Sequence, residues 1–265
     1  VIFATDDPSP GSNPPAGAAE LPARAAELAT NLASVERRIT AACAAAGRSR
    51  SEVTLIVVTK TYPASDVRLL HELGVRQVAE NRDQDAAPKA AACADLDLTW
   101  HFVGQLQTNK VKSVLGYANV VQSVDRLKLV SALSKEAVRV GRDAPGSELG
   151  CLIQVDLGSD AGEADRGRGG AAPSEVENMA NAIKSMPGLR VDGVMAVAPL
   201  VGHSAGDPSA AFGRLAEISS CLRRAHPAAT MVSAGMSGDL EQAVAAGATH
   251  VRIGTAVLGV RSSLG

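Results

Sequence analysis

Aromatic side chains are nearly missing from this chain: one Trp, two Tyr and three Phe make up 2% of its 265 residues. A core so poor in rings must be assembled from Ala, Val, Leu and Ile, which suit the tight side-chain layers inside a barrel. Cysteine is also sparse. Cys43, Cys93, Cys151 and Cys221 lie far apart and form no CxxC pair, which argues against a zinc or redox site and leaves them as reduced packing residues. Apolar runs such as 194–201 fall far short of a membrane span. The start of the chain lacks the basic-then-apolar pattern of a signal peptide. Net charge is small, with 26 Lys and Arg against 28 Asp and Glu, so no long-range field gathers nucleic acid. These absences point to a cytoplasmic protein with neither a nucleic-acid nor a membrane partner.

What is present is 46% hydrophobic content, ample for a buried core. Residues 1–20, with Pro8, Pro10, Pro14 and Pro15, read as a disordered N-terminal extension, placing the folded domain over 21–265. From Leu28 the apolar positions Leu32, Val35, Ile39 and Cys43 recur at helical spacing up to Gly47. A uniformly apolar, β-branched run over 53–59 follows and reads as a buried parallel strand. Further strand candidates are 77–79, 99–103, 120–124, 152–155, 191–196, 230–233 and 249–253, giving eight in all. Helix-like stretches separate them at 65–73, 83–94, 109–115, 125–140, 174–184, 209–224 and 240–246. Strict βα alternation requires a parallel sheet, and eight units fit a single (β/α)₈ TIM barrel or a large doubly wound sheet. No Gly-x-Gly-x-x-Gly follows the first strand, which weakens the second option. The Gly-rich segments 158–173 and 202–208 interrupt the pattern after strands, where a lid or plain disorder fits equally.

Barrel ligands bind at the C-terminal strand ends. Lys60 stands there, directly after the first strand. A low-dielectric rim favours the neutral, nucleophilic amine, which can form an imine with an aldehyde; the plain alternative is a solvated lysine. The loops after strands seven and eight, a recurrent phosphate site of this fold, hold Ser233-Ala-Gly-Met-Ser-Gly-Asp239 and Arg252-Ile-Gly-Thr255. Their glycines permit close backbone approach to an anion, and Ser237 and Thr255 add hydroxyl donors, although Ser237 capping the next helix explains that residue as well. Arg252 is either a cation aimed at a ligand or a barrel arginine paired with a carboxylate. His101 reads as a satisfied core histidine, the alternative being a group that backs the ligand's direct contacts. Strand one neighbours strand eight in a closed barrel, so Lys60 and the phosphate loops should share one cavity, and an aldehyde carrying a phosphate suits both.

Val-Val-Thr-Lys60-Thr-Tyr-Pro63, Glu80-Asn81, His101-Phe-Val-Gly-Gln-Leu-Gln-Thr-Asn-Lys110, Gly193-Val-Met-Ala-Val-Ala-Pro199, Gly235-Met-Ser-Gly-Asp-Leu-Glu241 and Val251-Arg-Ile-Gly-Thr-Ala-Val-Leu-Gly259 together resemble the pyridoxal phosphate homeostasis protein family, over nearly the whole chain after about residue 25. The resemblance implies a barrel like the alanine racemase N-terminal domain, with pyridoxal 5'-phosphate as cofactor. It implies that Lys60 carries the imine, Asn81 lies beside the ring and Arg252 meets the pyridine nitrogen. Ser237, Gly254 and Thr255 would hold the phosphate, with Met236 completing the cofactor-binding set. Two departures are Arg82, where the family commonly has Tyr, and Asp165-Arg-Gly-Arg-Gly-Gly170 in place of Lys-x-Gly. The family reading is a carrier without strong catalysis, a monomer or weak homodimer, with apo pyridoxal phosphate enzymes as recipients. A two-base racemase needs an acid/base on each face of its substrate, and this chain ends soon after strand eight. The rivals are a pyridoxal phosphate-dependent racemase or lyase, and a lysine-imine aldolase acting on a sugar phosphate.

Overall fold

The computed structural model describes residues 16–158, 169–199 and 206–260, with side chains from residue 22 onward. Eight parallel strands close into a barrel in chain order: β1 Thr54–Val58, β2 Gln77–Glu80, β3 Thr99–Phe102, β4 Val120–Val124, β5 Leu149–Gln154, β6 Leu189–Met195, β7 Met231–Ser233 and β8 His250–Ile253. Around them run α1 Ala16–Ala45, α2 Ala64–Glu72, α3 Asp83–Ala92, α4 Val111–Val114, α5 Leu127–Arg139, α6 Val176–Ser185, α7 Pro208–Ala225, α8 Leu240–Ala245 and α9 Thr255–Leu258. The architecture is a single (β/α)₈ TIM barrel, and its closed strand order decides against the doubly wound sheet that the alternation also allowed.

The outward faces of the strands and the inward faces of the helices form the core. Val57, Val78, Val251 and Ile253 pack with Leu28, Val35 and Ile39 of α1 and with Val67 and Leu70 of α2. In α5 the buried residues Leu129, Val130, Leu133 and Ala137 recur at helical spacing, which is why this segment lies flat on the sheet. Gly47 and Gly74, both at positive φ, end α1 and α2. The next N–H reaches back five residues in each case, Arg48 to Cys43 and Val75 to Leu70, at 2.9 Å, the bond pattern that needs a left-handed residue between.

The structure departs from the expected pattern at four places. Helix α1 begins at Ala16, inside the stretch read as extension; the rest of that stretch lies outside the described residues. Strand β5 starts at Leu149 rather than 152, because Gly150 weakens the strand pattern. Here the glycine is required, since a Cβ on Gly150 would lie 2.2 Å from Oδ2 of Asp192. The helix expected over 109–115 is a 3₁₀ turn, Thr108–Lys110, leading into α4. Helix α9, at four residues, is too short to show periodicity. Cys43, Cys93 and Cys151 are buried, whereas Cys221 is exposed and is no packing residue. Of the two interrupting segments, 159–168 and 202–205 fall outside the described residues, and with them the Asp165 to Arg168 part of the altered motif.

Candidate functional site

The C-terminal ends of β8 and β1 meet at one level. The two strands pair in parallel register, Ile56 with Arg252 and Val57 with Ile253, so Lys60 and Thr255 follow their strands on the same rim. Counting in twos from Ile56 places Val58 on the inward parity shared with Arg252, and Lys60 follows two residues later in the turn beyond the strand. The turn after β8 also touches the end of β1 directly: a Cβ on Gly254 would sit 3.2 Å from Val58 O. Ser237 completes the contact, its Oγ accepting the Ala256 N–H at 3.4 Å. That bond goes to α9 and not to the helix following Ser237, so this serine does not cap α8. Lys60 and the Gly/Ser/Thr turns of β7 and β8 therefore lie at one end of the molecule, although none of them lines the cavity that Asn81 forms with Arg82 and Lys110.

Lys60 is exposed, contrary to the dehydration expected of a barrel rim. Thr255 is exposed as well, Ser237 and Gly254 half-buried. Met236 is 40% exposed, and its N–H is already bound to Oδ1 of Asp239 at 2.5 Å, so only its side chain is left for a ligand. Asn81 is half-buried at the end of β2 and lines a cavity of about 480 Å³ with Arg82, Gln105 and Lys110.

Arg252 is 4% exposed. No carboxylate lies within ion-pair distance of it among the described residues, so it is not the carboxylate-paired arginine that was the alternative. Its Nη1 donates to Ser233 Oγ at 2.7 Å and its Nη2 to Ala196 O at 2.8 Å. From Ser233 the bonds continue across the lumen: the Ser233 hydroxyl donates to Gln122 Oε1 at 2.7 Å. The Gln122 amide donates to His101 Nδ1 at 2.9 Å, and His101 Nε2 donates to Gln77 Oε1 at 2.7 Å. Residues from β4 and β7, three strands apart, can meet only through the interior. Every bond in this chain points away from the guanidinium, which fixes its plane. Burial pushes Arg252 down to about 10, still cationic at neutral pH. His101 is pushed to about 3, chiefly by burial and secondarily by His250 and Arg252, and is the satisfied core histidine expected.

Among known proteins, the family described as alanine racemase, N-terminal domain, matches residues 30–262. A pyridoxal phosphate homeostasis protein of Pseudomonas aeruginosa is 41% identical over 88% of this chain and 95% of its own length. One from Escherichia coli K12 is 34% identical over 88% and 96%. The chain belongs to the pyridoxal phosphate homeostasis protein family. Among solved structures, PipY of Synechococcus elongatus with PLP bound superposes with a TM-score of 0.73 at 31% identity, covering 88% of this chain and 100% of that one. An alanine racemase of Clostridium difficile shares the fold at 13% identity and a TM-score of 0.66, with 58% of its length covered.

In this member of the family, sequence reasoning missed the lumen chain through Gln77, Gln122 and Ser233. A signal was available: Gln122 interrupts the apolar strand Val120-Val-Gln-Ser-Val124, and a polar residue on the inward face of a buried strand must find a partner there.

Proposed function

We propose that this chain holds pyridoxal 5'-phosphate at the barrel mouth, linked covalently to Lys60, as a reversible carrier in cofactor homeostasis without strong catalysis. What carries the reading is the juxtaposition of Lys60 with the β7 and β8 turns, supported by relatives that bear the homeostasis name and by PipY with PLP bound. The residues fit the group. The Gly254 turn has no room to spare against Val58, Thr255 adds a hydroxyl where α9 opens, and Ser237 adds another beside the Ala256 N–H. Asn81 stands on the neighbouring strand side, Met236 at the edge. A guanidinium can only donate hydrogen bonds, so Arg252 favours an unprotonated pyridine nitrogen. When bound, the cofactor supplies an electrophilic aldehyde carbon and a ring that such a partner leaves a weak electron sink.

The carrier reading also draws on the acid/base groups present. The chain has two tyrosines. Tyr62 donates its hydroxyl to Gly259 O at 2.7 Å under the Arg24 guanidinium, and the Tyr117 ring packs edge-on against Trp100 with its hydroxyl buried. The Tyr62 hydroxyl is thus taken up by a backbone carbonyl and that of Tyr117 is enclosed, which supports the carrier reading over two-base proton transfer. The exposure of Lys60 suits return of the cofactor to water and to apo pyridoxal phosphate enzymes. Three buried free thiols and the absence, among the described residues, of a helix able to cross a membrane fit the cytoplasm as the compartment.

The test is spectroscopic. Protein incubated with pyridoxal phosphate should gain a visible band, borohydride should fix the label on Lys60, and Lys60→Ala should lose the band with an unchanged far-ultraviolet spectrum. With the loaded protein in deuterated water, α-proton exchange of added amino acids should be slow or absent; rapid exchange would replace the carrier with a racemase or lyase.

A further inference from the structure

Lys60 sits in a turn that its own sequence disfavours. The Tyr62 N–H donates to Thr59 O at 3.1 Å, closing a four-residue turn around Lys60 and Thr61. Thr61 has φ 69°, the one positive φ outside glycine among the described residues. Glycine is usual at this third turn position, and a β-branched side chain there crowds the backbone. Such a conformation persists only where its surroundings over-determine it.

The surroundings here are a buried ion pair. Glu80 is fully buried at the end of β2 and Lys89 of α3 is 7% exposed. Lys89 Nζ donates to Glu80 Oε1 at 2.5 Å and to Thr59 O at 2.7 Å. The Thr59 hydroxyl donates to the same Glu80 oxygen at 2.7 Å. The carbonyl that closes the turn and the side chain that precedes Lys60 are thus both fastened to one charge pair outside the barrel wall. Glu80 is also the residue before Asn81.

We propose that Glu80 and Lys89 are positioning residues for Lys60: through Thr59 they hold the strained turn that aims its amine into the mouth. The inference rests on the reading that Lys60 carries the cofactor. It predicts a separation of aim from stability, because exchanging a buried ion pair for apolar groups of similar volume is often tolerated by the fold. In the Glu80→Met, Lys89→Met double variant, the ligand-free protein should melt near wild type, yet its Tyr62 amide should exchange hydrogen about tenfold faster as the turn opens locally. Covalent capture of pyridoxal phosphate should slow by about tenfold to a hundredfold, the scale of a misplaced reacting group. The visible circular dichroism per chromophore should fall, since it needs one fixed orientation. Lys89→Arg, which keeps donors for Thr59 and Glu80, should fall between the two. If the double variant does not fold, Thr59→Val removes the hydroxyl tie alone and should show the same effects at smaller size. A folded double variant, or failing that a folded Thr59→Val, with wild-type Tyr62 exchange and wild-type capture overturns the proposal. Failure of the wild-type protein to be labelled at Lys60 would instead overturn the carrier reading, and Tyr62 exchange would still decide whether the pair holds the turn.

Discussion

His101 shows how one residue reports the state of the lumen. Its Nδ1 accepts from Gln122 and its Nε2 donates to Gln77, a pattern open only to a neutral ring. Protonation would set two donors against each other. Burial gives the same answer, pushing the group from its ordinary 6.5 to about 3. In the unfolded chain His101 binds a proton below its ordinary value, whereas in the fold it does not until about 3. The unfolded state therefore holds more protons between those limits, and stability falls as pH falls through them. His250, pushed by burial to about 4, adds to the loss in the upper part of that window. Two pH units below the unfolded value, His101 alone should cost about 2 to 3 kcal/mol. Urea unfolding of wild type and His101→Gln at pH 7 and 4.5 checks this: the variant should lose less stability between the two, and parallel losses would mean that the ring is not held neutral.

At the scale of elements, the β5–β6 pairing shows where sequence patterns stop being informative. Cys151 lies opposite Val191 but Leu152 lies opposite Gly193, so Asp192 is an extra residue and β6 bulges. Gly193 has φ 151°, and a Cβ there would fall 1.9 Å from Met231 O on β7. Gly193→Ala should force β6 and β7 apart and cost at least about 1 to 3 kcal/mol by overpacking. It should loosen Arg252 as well, whose partners Ser233 and Ala196 follow on these two strands. Gly213→Ala in α7, with nothing within 4 Å of the added carbon, is the control and should gain up to about 1 kcal/mol; equal denaturation midpoints for the two variants would refute the close approach. The apolar runs made all eight strands legible, because a strand buried on both faces stays largely apolar even where Gln122 or Arg252 breaks the run. The bulge, the early start of β5 and the four-residue α9 were not, since each depends on a partner element distant in sequence. The site divides in the same way. Lys60 and the Ser237 and Thr255 turns follow from position at strand ends, whereas the Glu80–Lys89 pair and the lumen chain exist only once the barrel closes.

Across the whole molecule, helix α1 reaches the turn after β7 and the short helix α9. Three side chains of α1 donate to carbonyls of the late turns: Arg24 to Leu258 O at 3.0 Å, Asn31 to Val257 O at 3.1 Å and Arg38 to Ser237 O at 3.0 Å. The first two carbonyls belong to the last turn of α9, which has no intrahelical donor left for them. The third lies in the loop whose serine bonds α9. Arg38 is held in turn by Glu241 at 2.8 Å. Helix α1 thus braces from outside both turns proposed for the phosphate. Asn31→Ala combined with Arg38→Ala should therefore cost little global stability, because these are partly exposed bonds worth about 1 kcal/mol or less each. Cofactor release should nevertheless quicken by roughly threefold to tenfold, the kinetic equivalent of about one hydrogen bond's free energy, as the turns gain freedom to part. Transfer of the chromophore from loaded protein to an excess of an apo-enzyme measures that rate directly. Arg139→Ala, which breaks an exposed pair with Glu136 on α5 far along the chain from these turns, should leave the rate unchanged. Identical release from all three proteins would show that the phosphate turns hold their shape without α1, and that the helix serves only to cover the sheet.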